Sequence, residues 1–203
     1  MSSTGRKKRD GTKTERRKDD FYATPLEATY SLLAQPEIQE LLSNVNVLYE
    51  PCAGDLAILD AIRRKALLPK VLICSDIRSL YYHYRAYAAA WNIDIRANEG
   101  VDYSSSDWHY APYRDDVLII TNPPFTLAIP MLKKSLTESA NVIYLMRLDV
   151  LGSLGRFDFW QQRHPDIYIM SKRYSFTGDG ATDSCYYAWF WFHPKEGGRW
   201  KVI

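Results

Sequence analysis

Residues 45–62 read VNVLYEPCAGDLAILDAI and hold the pattern that decides the fold. An apolar run over 45–50 leads into a loop with a proline and a glycine, and then into Ile58, Leu59 and Ile62 at helical spacing. This order predicts a buried strand, a tight loop and a helix. Such a loop places backbone N–H groups and the positive end of the helix dipole against a ligand's carboxylate or phosphate. A plain turn with Asp55 as the helix cap explains the same residues equally well.

The alternation of short apolar runs and helical patterns continues along the chain, which is typical of a parallel sheet flanked by helices. Seven strands are predicted, at 45–50, 71–76, 93–97, 117–121, 142–147, 167–171 and 186–193. Helices are predicted at 25–43 (or two helices divided at Pro36), 57–66, 79–91, 127–137 and 154–162. Because only a turn-forming segment separates the last two strands, they should form an antiparallel hairpin. The predicted fold is one α/β domain over residues 19–203, with a mostly parallel sheet, an antiparallel last strand and helices on both faces.

The first predicted helix has a local start signal in residues 20–27, DFYATPLE. Thr24 as N-cap, Pro25 at the first helical position and Glu27 three residues after Thr24 form a capping box. A contact between Thr24 and a ligand is compatible with that role and is not implied by it.

Positive charge is concentrated at the start of the chain. Residues 1–18 hold eight Lys and Arg and two acidic residues, a net +6, whereas the whole chain carries +2, so the remaining residues carry −4. This segment has no apolar residue after Met1 and is predicted to be a disordered tail. Its cations can contact nucleic-acid phosphates without reading sequence, or they can simply keep the chain soluble. The candidates for phosphate contact are Lys7, Lys8, Arg16 and Arg17.

Several classes of protein are disfavoured by the sequence. Neither a secretory signal peptide nor an apolar run long enough for a membrane span is present, so an intracellular, cytoplasmic protein is expected. The three cysteines and four histidines are scattered along the chain, which predicts neither a metal site nor a disulfide framework.

Acidic residues follow the second and third predicted strands. Asp76 lies 22 positions beyond Gly54, the spacing at which nucleotide-binding sheets place an acceptor for the ribose hydroxyls. After the third strand comes Asp102, which can accept from an adenine amino group, with Glu99 and Asp107 as alternatives. Because ligands bind beyond the carboxyl ends of parallel strands, these residues and the first loop favour a ligand that contains a ribose.

The fourth predicted strand ends in LIITNPPFTL, residues 118–127. Two prolines remove two backbone donors and keep carbonyl groups available as acceptors. Asn122 adds a side-chain carbonyl, and Phe125 adds a flat apolar face. Two acceptors and a stacking ring suit a planar group that bears an amino group. A bare Pro-Pro turn with a buried phenylalanine is the simpler explanation, but the position after an apolar strand and downstream of a cofactor-like loop favours a site.

Together these motifs resemble the S-adenosylmethionine-dependent amino-methyltransferases, and most closely the small phage and prophage DNA N6-adenine methyltransferases. The resemblance rests on EPCAGD after the first strand, the acidic residue after the second and NPPF after the fourth, in the gamma-type order. DFYATP at the start and SFTGDGATDSCYYAWFWF near the end extend it over roughly residues 19–193. It implies a Rossmann-like class I methyltransferase fold, S-adenosylmethionine as cofactor, and methylation of adenine in DNA inside a phage-infected or prophage-bearing cell.

The resemblance also implies roles for individual residues. The cofactor would be bound by Thr24, Glu50, Cys52, Ala53, Gly54, Asp76, Ile77, Asp102 and Asn122. The catalytic set would be Asn122, Pro123, Pro124 and Phe125, with the amine held by Asn122 and the Pro123 carbonyl and the base stacked on Phe125. The same acceptor geometry serves an RNA adenine or a protein glutamine amide, and DNA in single-stranded form would avoid the cost of unpairing the base.

One position departs from the family pattern. A second glycine is usual two residues after Gly54, but Leu56 stands there. Leucine lacks the positive-φ freedom of glycine and adds bulk to a loop that should press on the cofactor. Either the loop has repacked or cofactor binding is weakened, and a catalytically impaired protein that binds nucleic acid or a partner is the alternative function.

The predicted domain leaves no room for a separate target-recognition domain. Substrate specificity is therefore expected to come from the loops at 103–114, 149–156 and 172–185 or from a partner, or to be low. Lys172, Arg173, Asp179 and Asp183 are candidates for contact with the bases or the backbone.

Overall fold

A computed structural model describes residues 22–79, 94–104, 114–176, 185–195 and 197–203. The helices are α1 (Leu26–Leu33), α2 (Pro36–Asn44), α3 (Ala57–Arg64), α4 (Ala128–Glu138) and α5 (Phe157–Gln161). The strands are β1 (Val47–Glu50), β2 (Val71–Asp76), β3 (Asp94–Glu99), β4 (Arg114–Thr121), β5 (Ser139–Arg147), β6 (Asp166–Ile169), β7 (Tyr187–Phe192) and β8 (Trp200–Val202). Short 3₁₀ helices cover Leu148–Leu151 and Leu154–Arg156. The predicted basic tail lies outside the described residues, as does nearly all of the helix predicted at 79–91.

The strands form one sheet in the order β3-β2-β1-β4-β5-β7-β6-β8. β7 runs antiparallel to both of its neighbours, and the other described pairs are parallel. The predicted α/β class and the β6–β7 hairpin are confirmed. The predicted number of seven strands is wrong, because the described sheet has eight. β8 is only three residues long and follows a glycine pair, so it has no alternating pattern from which to predict it.

Local sequence explains two helix boundaries, one that agrees with a stated alternative and one that differs from the predicted start. The segment predicted at 25–43 divides at Pro36, which becomes the first residue of α2, as expected for a residue with no backbone donor. The segment predicted at 154–162 begins as a 3₁₀ turn and becomes α-helical only at Phe157.

The direction in which the chain crosses the sheet changes at β1. From β1 the chain proceeds outward through β2 to β3, and β4 then pairs with the opposite side of β1. At such a switch point the loops that follow the two central strands diverge to opposite faces and leave a crevice between them. The loop after β1 and the loop after β4 therefore form the two walls of one site.

Alternate side chains of the central strands pack into two hydrophobic cores, one on each face of the sheet. Leu48 packs with α1, α2 and α3 on one face, whereas Val47 and Tyr49 pack with α4 on the other. Trp189 is fully buried on the first face, and its indole N–H donates to the carbonyl of Ala28 over 2.9 Å, which joins β7 to α1. No helix in the described part of the chain has the length and apolar character that crossing a bilayer requires.

Candidate active site

A cavity of about 330 Å³ opens at the carboxyl ends of β1, β2 and β4. This volume lies within the range of small-molecule sites. Every residue predicted for the cofactor or the target amine lines it: Thr24, Glu50, Cys52, Ala53, Gly54, Asp76, Ile77, Asp102, Asn122, Pro123, Pro124 and Phe125. The structure thus brings the predicted site residues together, while their individual roles stay predictions.

Asn122 is held in one orientation by residues about 100 positions earlier in the chain. Its Nδ2 donates to the carbonyl of Tyr22 over 3.1 Å and to Oγ1 of Thr24 over 3.0 Å. Since a backbone carbonyl can only accept, the nitrogen must be the amide atom on that side. The buried Oδ1 of Asn122 has no hydrogen-bond partner in the described structure. A buried acceptor without a partner is costly, so this oxygen is available for a donor that enters the cavity.

The predicted capping box at the start of α1 is wrong. The helix begins at Leu26 with Pro25 as N-cap, and no side chain caps it. Oγ1 of Thr24 instead accepts the hydrogen bond from Asn122. A tertiary partner 98 residues away has replaced the local one, which a sequence pattern does not show.

Phe125 contacts two aromatic rings. Its ring stacks on Tyr22 with centroids 5.7 Å apart and an interplanar angle of 23°, and it contacts Tyr187 at 5.7 Å with a tilted ring. Phe125 remains half-buried and lines the cavity together with Tyr22. Sequence analysis did not select Tyr22 as a site residue, although it lies inside the DFYATP segment on which the resemblance partly rests.

Asp76 ties the loop after β1 to the end of β2. One carboxylate oxygen accepts the backbone N–H of Gly54 over 2.8 Å. The other accepts the backbone N–H of Arg78 over 2.9 Å and its Nε over 3.1 Å. The carboxylate is thereby oriented before a ligand arrives, which lowers the cost of binding. Arg78 also lines the cavity and was not predicted, because a cation two residues after a ribose acceptor is not part of the pattern.

The loop after β3 places Asp102 in the cavity wall. Its Oδ1 accepts from the backbone N–H of Ser104 over 3.0 Å and from its hydroxyl over 2.7 Å. Of the two alternatives for this position, Glu99 accepts from Ser79 over 3.1 Å and does not line the cavity. Asp107 lies outside the described residues.

Leu56 adopts the left-handed conformation that a glycine would, with φ 64° and ψ 24°. Its side chain is 1% exposed and packs into the core beside α1 and α3. Gly54, Asp55, Ala57 and Ile58 line the cavity, and Leu56 does not. Of the two alternatives at this position, the structure favours a repacked loop, because the loop turns the side chain into the core, where burial offsets the backbone strain.

Replacing Leu56 by glycine should therefore lower stability without opening the cavity. Relief of the left-handed conformation and loss of a buried leucine oppose each other, and a net loss of about 1–4 kcal/mol is expected in urea unfolding. Leu56→Ala should be about as unstable, since it loses three of the four side-chain carbons and keeps the strain. Markedly tighter binding of S-adenosylmethionine by the folded glycine variant would show that the leucine does obstruct the site.

Glu50 is the last residue of β1 and is 2% exposed. Its Oε2 has no hydrogen-bond partner in the described structure. Burial, and then the nearby carboxyl groups of Asp55 and Asp76, raise the pKa of Glu50 well above its ordinary value. Four carboxyl groups line the cavity, those of Glu50, Asp55, Asp76 and Asp102, with Arg78 as the one cationic side chain among the described lining residues. Such a wall suits a ligand with positive charge.

The raised pKa of Glu50 makes stability depend on pH. The folded state holds the Glu50 proton more tightly than the unfolded state does. Protonation of Glu50 therefore adds to the free energy of unfolding fully at pH values below the ordinary pKa, and this contribution is lost as pH rises toward the pKa of the folded state. Glu50→Gln removes the ionisable group. The Tm of the variant should therefore rise relative to the Tm of wild type as pH increases from about 4 to 8. A series of thermal melts over this range measures the difference. The same difference at every pH would contradict a buried, ionisable Glu50.

Two of the residues predicted to contact nucleic acid, Lys172 and Arg173, lie within the described part of the chain. Arg173 packs over the ring of Tyr186 with 4.4 Å to its centroid, and Lys172 lies 5.4 Å from the ring of Tyr174. Neither cation lines the cavity. The tail candidates Lys7, Lys8, Arg16 and Arg17, and the loop candidates Asp179 and Asp183, are outside the described residues.

Comparison with known proteins gives structural matches only. No protein-family model matches the sequence, and no curated protein matches it either. A Pyrococcus horikoshii protein proposed to be an RNA methyltransferase is similar in structure, with a TM-score of 0.61, 18% identity, and coverage of 90% of this chain and 88% of that one.

Two further methyltransferases match at similar levels. The methyltransferase subunit of a type I restriction-modification system from Streptococcus thermophilus has a TM-score of 0.60 and 12% identity over 86% of this chain and 45% of that one. The 23S rRNA methyltransferase ErmE has a TM-score of 0.59 and 10% identity over 88% of this chain and 71% of that one. At these identities the likeness concerns the fold, which is the Rossmann-like fold of class I methyltransferases.

Proposed function

We propose that this protein transfers a methyl group from S-adenosylmethionine to the exocyclic N6 amine of adenine in DNA. The observation that carries the proposal is the orientation of Asn122. Its amide nitrogen is engaged by Tyr22 and Thr24, and its unpartnered Oδ1 is left as an acceptor in a cavity with the acidic wall described above. A hydrolase site would instead present a base or a nucleophile at this position.

The cavity residues fit S-adenosylmethionine by their chemistry. When bound, this cofactor supplies a methyl group on a positively charged sulfur, beside an ammonium group. The buried carboxyl group of Glu50 offers an acceptor for positive charge, and Asp76 offers one for the ribose hydroxyls. Asp102, which also lines the cavity, offers an acceptor for an adenine amino group. The backbone of Gly54 is held by Asp76 over 2.8 Å, which keeps the loop in place against the ligand.

The target amine needs acceptors more than it needs a base. The lone pair of adenine N6 is delocalised into the ring, so the amine is a weak nucleophile. Asn122 Oδ1 and the Pro123 carbonyl accept its two hydrogens and stabilise the positive charge that develops on nitrogen during transfer. The proton leaves after transfer, so no ionised base is required first. The carbonyl of Pro124 accepts the backbone N–H of Leu127 over 2.9 Å and closes the turn that holds these acceptors.

Aromatic packing supports the position of the base. Phe125 is braced by Tyr22 and Tyr187 and still lines the cavity, so its ring can stack on an inserted adenine without moving far. Alignment of amine, methyl carbon and sulfur is then an orientation effect supplied by the two walls of the crevice. A base in a duplex must leave the stack to reach this depth, and an unpaired base need not.

RNA is the second candidate substrate. Two of the similar structures are named for RNA methylation, and one belongs to a restriction-modification system. The geometry of Asn122 and Phe125 accepts an adenine from either polymer. A protein that has lost catalysis is less consistent with the site, because Leu56 leaves the cavity clear and the acceptor at Asn122 has kept its orientation.

The substrate class is tested with labelled methyl transfer. Purified protein is incubated with S-adenosylmethionine bearing a tritiated methyl group and with DNA or RNA oligonucleotides of the same sequence. The proposal expects label in DNA, and none in an oligonucleotide whose adenines are replaced by 2-aminopurine, which lacks the N6 amine. Label in RNA alone would replace the proposal by its second candidate, and label in neither polymer would refute both.

A further inference from the structure

Apolar side chains are exposed on the segment that follows β5. Leu154 is 91% exposed, Phe157 is 54% exposed and Leu151 is 40% exposed. They follow the carboxyl end of β5, at the same edge of the sheet as the loop that bears Asn122. Exposed apolar side chains that lie this close together in the chain favour an interaction surface for a ligand or a macromolecule.

Two arginines meet within this segment. Nη2 of Arg147, the last residue of β5, donates to Oδ2 of Asp149 and to Sγ of Cys185, each over 2.6 Å. Arg156 donates to the backbone carbonyl of Asp149 over 3.4 Å. The buried Nε atoms of Arg147 and Arg156 have no hydrogen-bond partner in the described structure. Both guanidinium groups thus bind Asp149, Arg147 at the carboxylate and Arg156 at the backbone carbonyl, so this carboxylate offsets the charge of Arg147 and not that of Arg156.

A third arginine lies beside them. Arg173 packs over the ring of Tyr186, and its Nη2 donates to the Tyr186 hydroxyl over 2.7 Å. The backbone carbonyl of Tyr186 accepts the N–H of Leu148 over 2.9 Å, so this pair adjoins the segment after β5. Tyr186 is 50% exposed, which leaves much of its side chain open to solvent.

The surface that carries Arg147, Arg156 and Arg173 borders the side of the cavity where Phe125 lies. Arg147 pairs with Tyr187 in the sheet, and the Tyr187 ring contacts Phe125 at 5.7 Å. The opposite side of the cavity carries the four carboxyl groups. The negative charge on the cofactor side is therefore assigned to Asp55, Asp76 and Asp102, because burial raises the pKa of Glu50 and disfavours its anion. Arginine side chains lie beside the ring that is proposed to receive the base. A polyanion is repelled by the first side and attracted by the second.

We propose that Arg147, Leu154, Arg156, Phe157, Arg173 and Tyr186 form the binding surface for the single strand of nucleic acid that carries the target adenine. The proposal rests on the function proposed above. It adds where the nucleic acid lies on the protein and that the nucleic acid is single-stranded. The guanidinium groups contact phosphates, and Phe157 stacks on a base next to the target, an arrangement suited to unpaired bases because each presents a free face. In a duplex those faces are covered by neighbouring base pairs.

Charge removal tests the phosphate contacts. Fluorescence anisotropy with a labelled single-stranded DNA oligonucleotide is followed over a salt series for Arg156→Gln/Arg173→Gln. The magnitude of the slope of log affinity against log salt should fall by roughly 1.4, at about 0.7 for each lost contact. The matched control is Lys65→Gln/Lys70→Gln, which removes two exposed cations near the amino edge of the sheet and should keep the wild-type slope. Equal slopes in both double variants would overturn the proposal.

Stacking is tested with an exposed aromatic side chain. Phe157→Ser should weaken single-strand binding by about tenfold. Trp200→Ser is the control, because Trp200 is 70% exposed on the edge strand β8, and its affinity should stay at the wild-type value. Thermal melts establish that both variants are folded. A Phe157→Ser affinity equal to wild type would overturn the stacking role, and tighter wild-type binding to the matching duplex would overturn the single-strand form.

These outcomes are separable from the methyl-transfer assay. A wild-type protein that methylates adenine but whose Arg156 and Phe157 variants bind DNA normally leaves the proposed function standing and removes this surface. Binding that depends on these residues, with no methyl transfer by wild type, supports the surface and removes the proposed function.

Discussion

Replacing Asn122 by alanine should lower the rate of methyl transfer by roughly 10²- to 10³-fold, the loss typical of a single acceptor or donor aimed at developing charge. The affinity for S-adenosylmethionine should change little, because Oδ1 is proposed to accept from the target amine and not from the cofactor. This separation follows from the structure, in which the other end of the amide is occupied by Tyr22 and Thr24. Single-turnover rates and calorimetric titration measure the two quantities separately.

A matched control for this variant is Asn46→Ala. Asn46 is an exposed asparagine at the amino end of β1, and its side chain donates to Asp116 over 3.2 Å. It should retain the wild-type rate. A rate in Asn122→Ala close to that of Asn46→Ala would remove Asn122 from the role assigned to it.

Replacing Asp76 by alanine should weaken binding of S-adenosylmethionine by about 100-fold, which corresponds to the loss of two hydrogen bonds to a charged acceptor. The carboxylate is also the partner of the Gly54 N–H and of Arg78, so the loop after β1 loses its tie to β2. Asp76→Asn keeps one acceptor oxygen and should lie between alanine and wild type. Calorimetric titration of the three proteins measures the order.

Asp94→Ala controls for the loss of an ion-paired aspartate. Asp94 pairs with Arg96 over 2.8 Å at the start of β3, away from the cavity, and this variant should bind the cofactor as wild type does. Binding by folded Asp76→Ala that equals that of Asp94→Ala would mean that the cavity does not hold a ribose at Asp76.

The parts of this site that could be predicted from sequence are those determined by residues close together in the chain. The strand, loop and helix around residues 45–62 and the strand that ends at Asn122 each carry their signal within a few residues. Because parallel strands end at one edge of the sheet, their order alone places Glu50, Asp76 and Asn122 together. The residues that share the site can therefore be named before any distance between them is known.

What could not be predicted depends on partners far apart in the chain. The anchoring of Asn122 by Tyr22 joins residues 100 positions apart, and it also diverts Thr24 from the cap that its neighbours favour. The direction of the Leu56 side chain depends on a backbone angle, so its residue type alone left a repacked loop and weakened cofactor binding as alternatives. β8 is too short to show a period. Each of these is settled by tertiary packing rather than by a local pattern.

The central claim is that one cavity aligns a methyl donor with an exocyclic amine held by Asn122. The most direct measurement is mass spectrometry of nucleosides from an adenine-containing single-stranded DNA treated with the protein and S-adenosylmethionine carrying a trideuterated methyl group. The expected product is trideuterated N6-methyl-2′-deoxyadenosine, which should be absent from the reaction with Asn122→Ala. Label on a ring nitrogen of adenine, on another base, or at N6 in equal amounts with Asn122→Ala would contradict it.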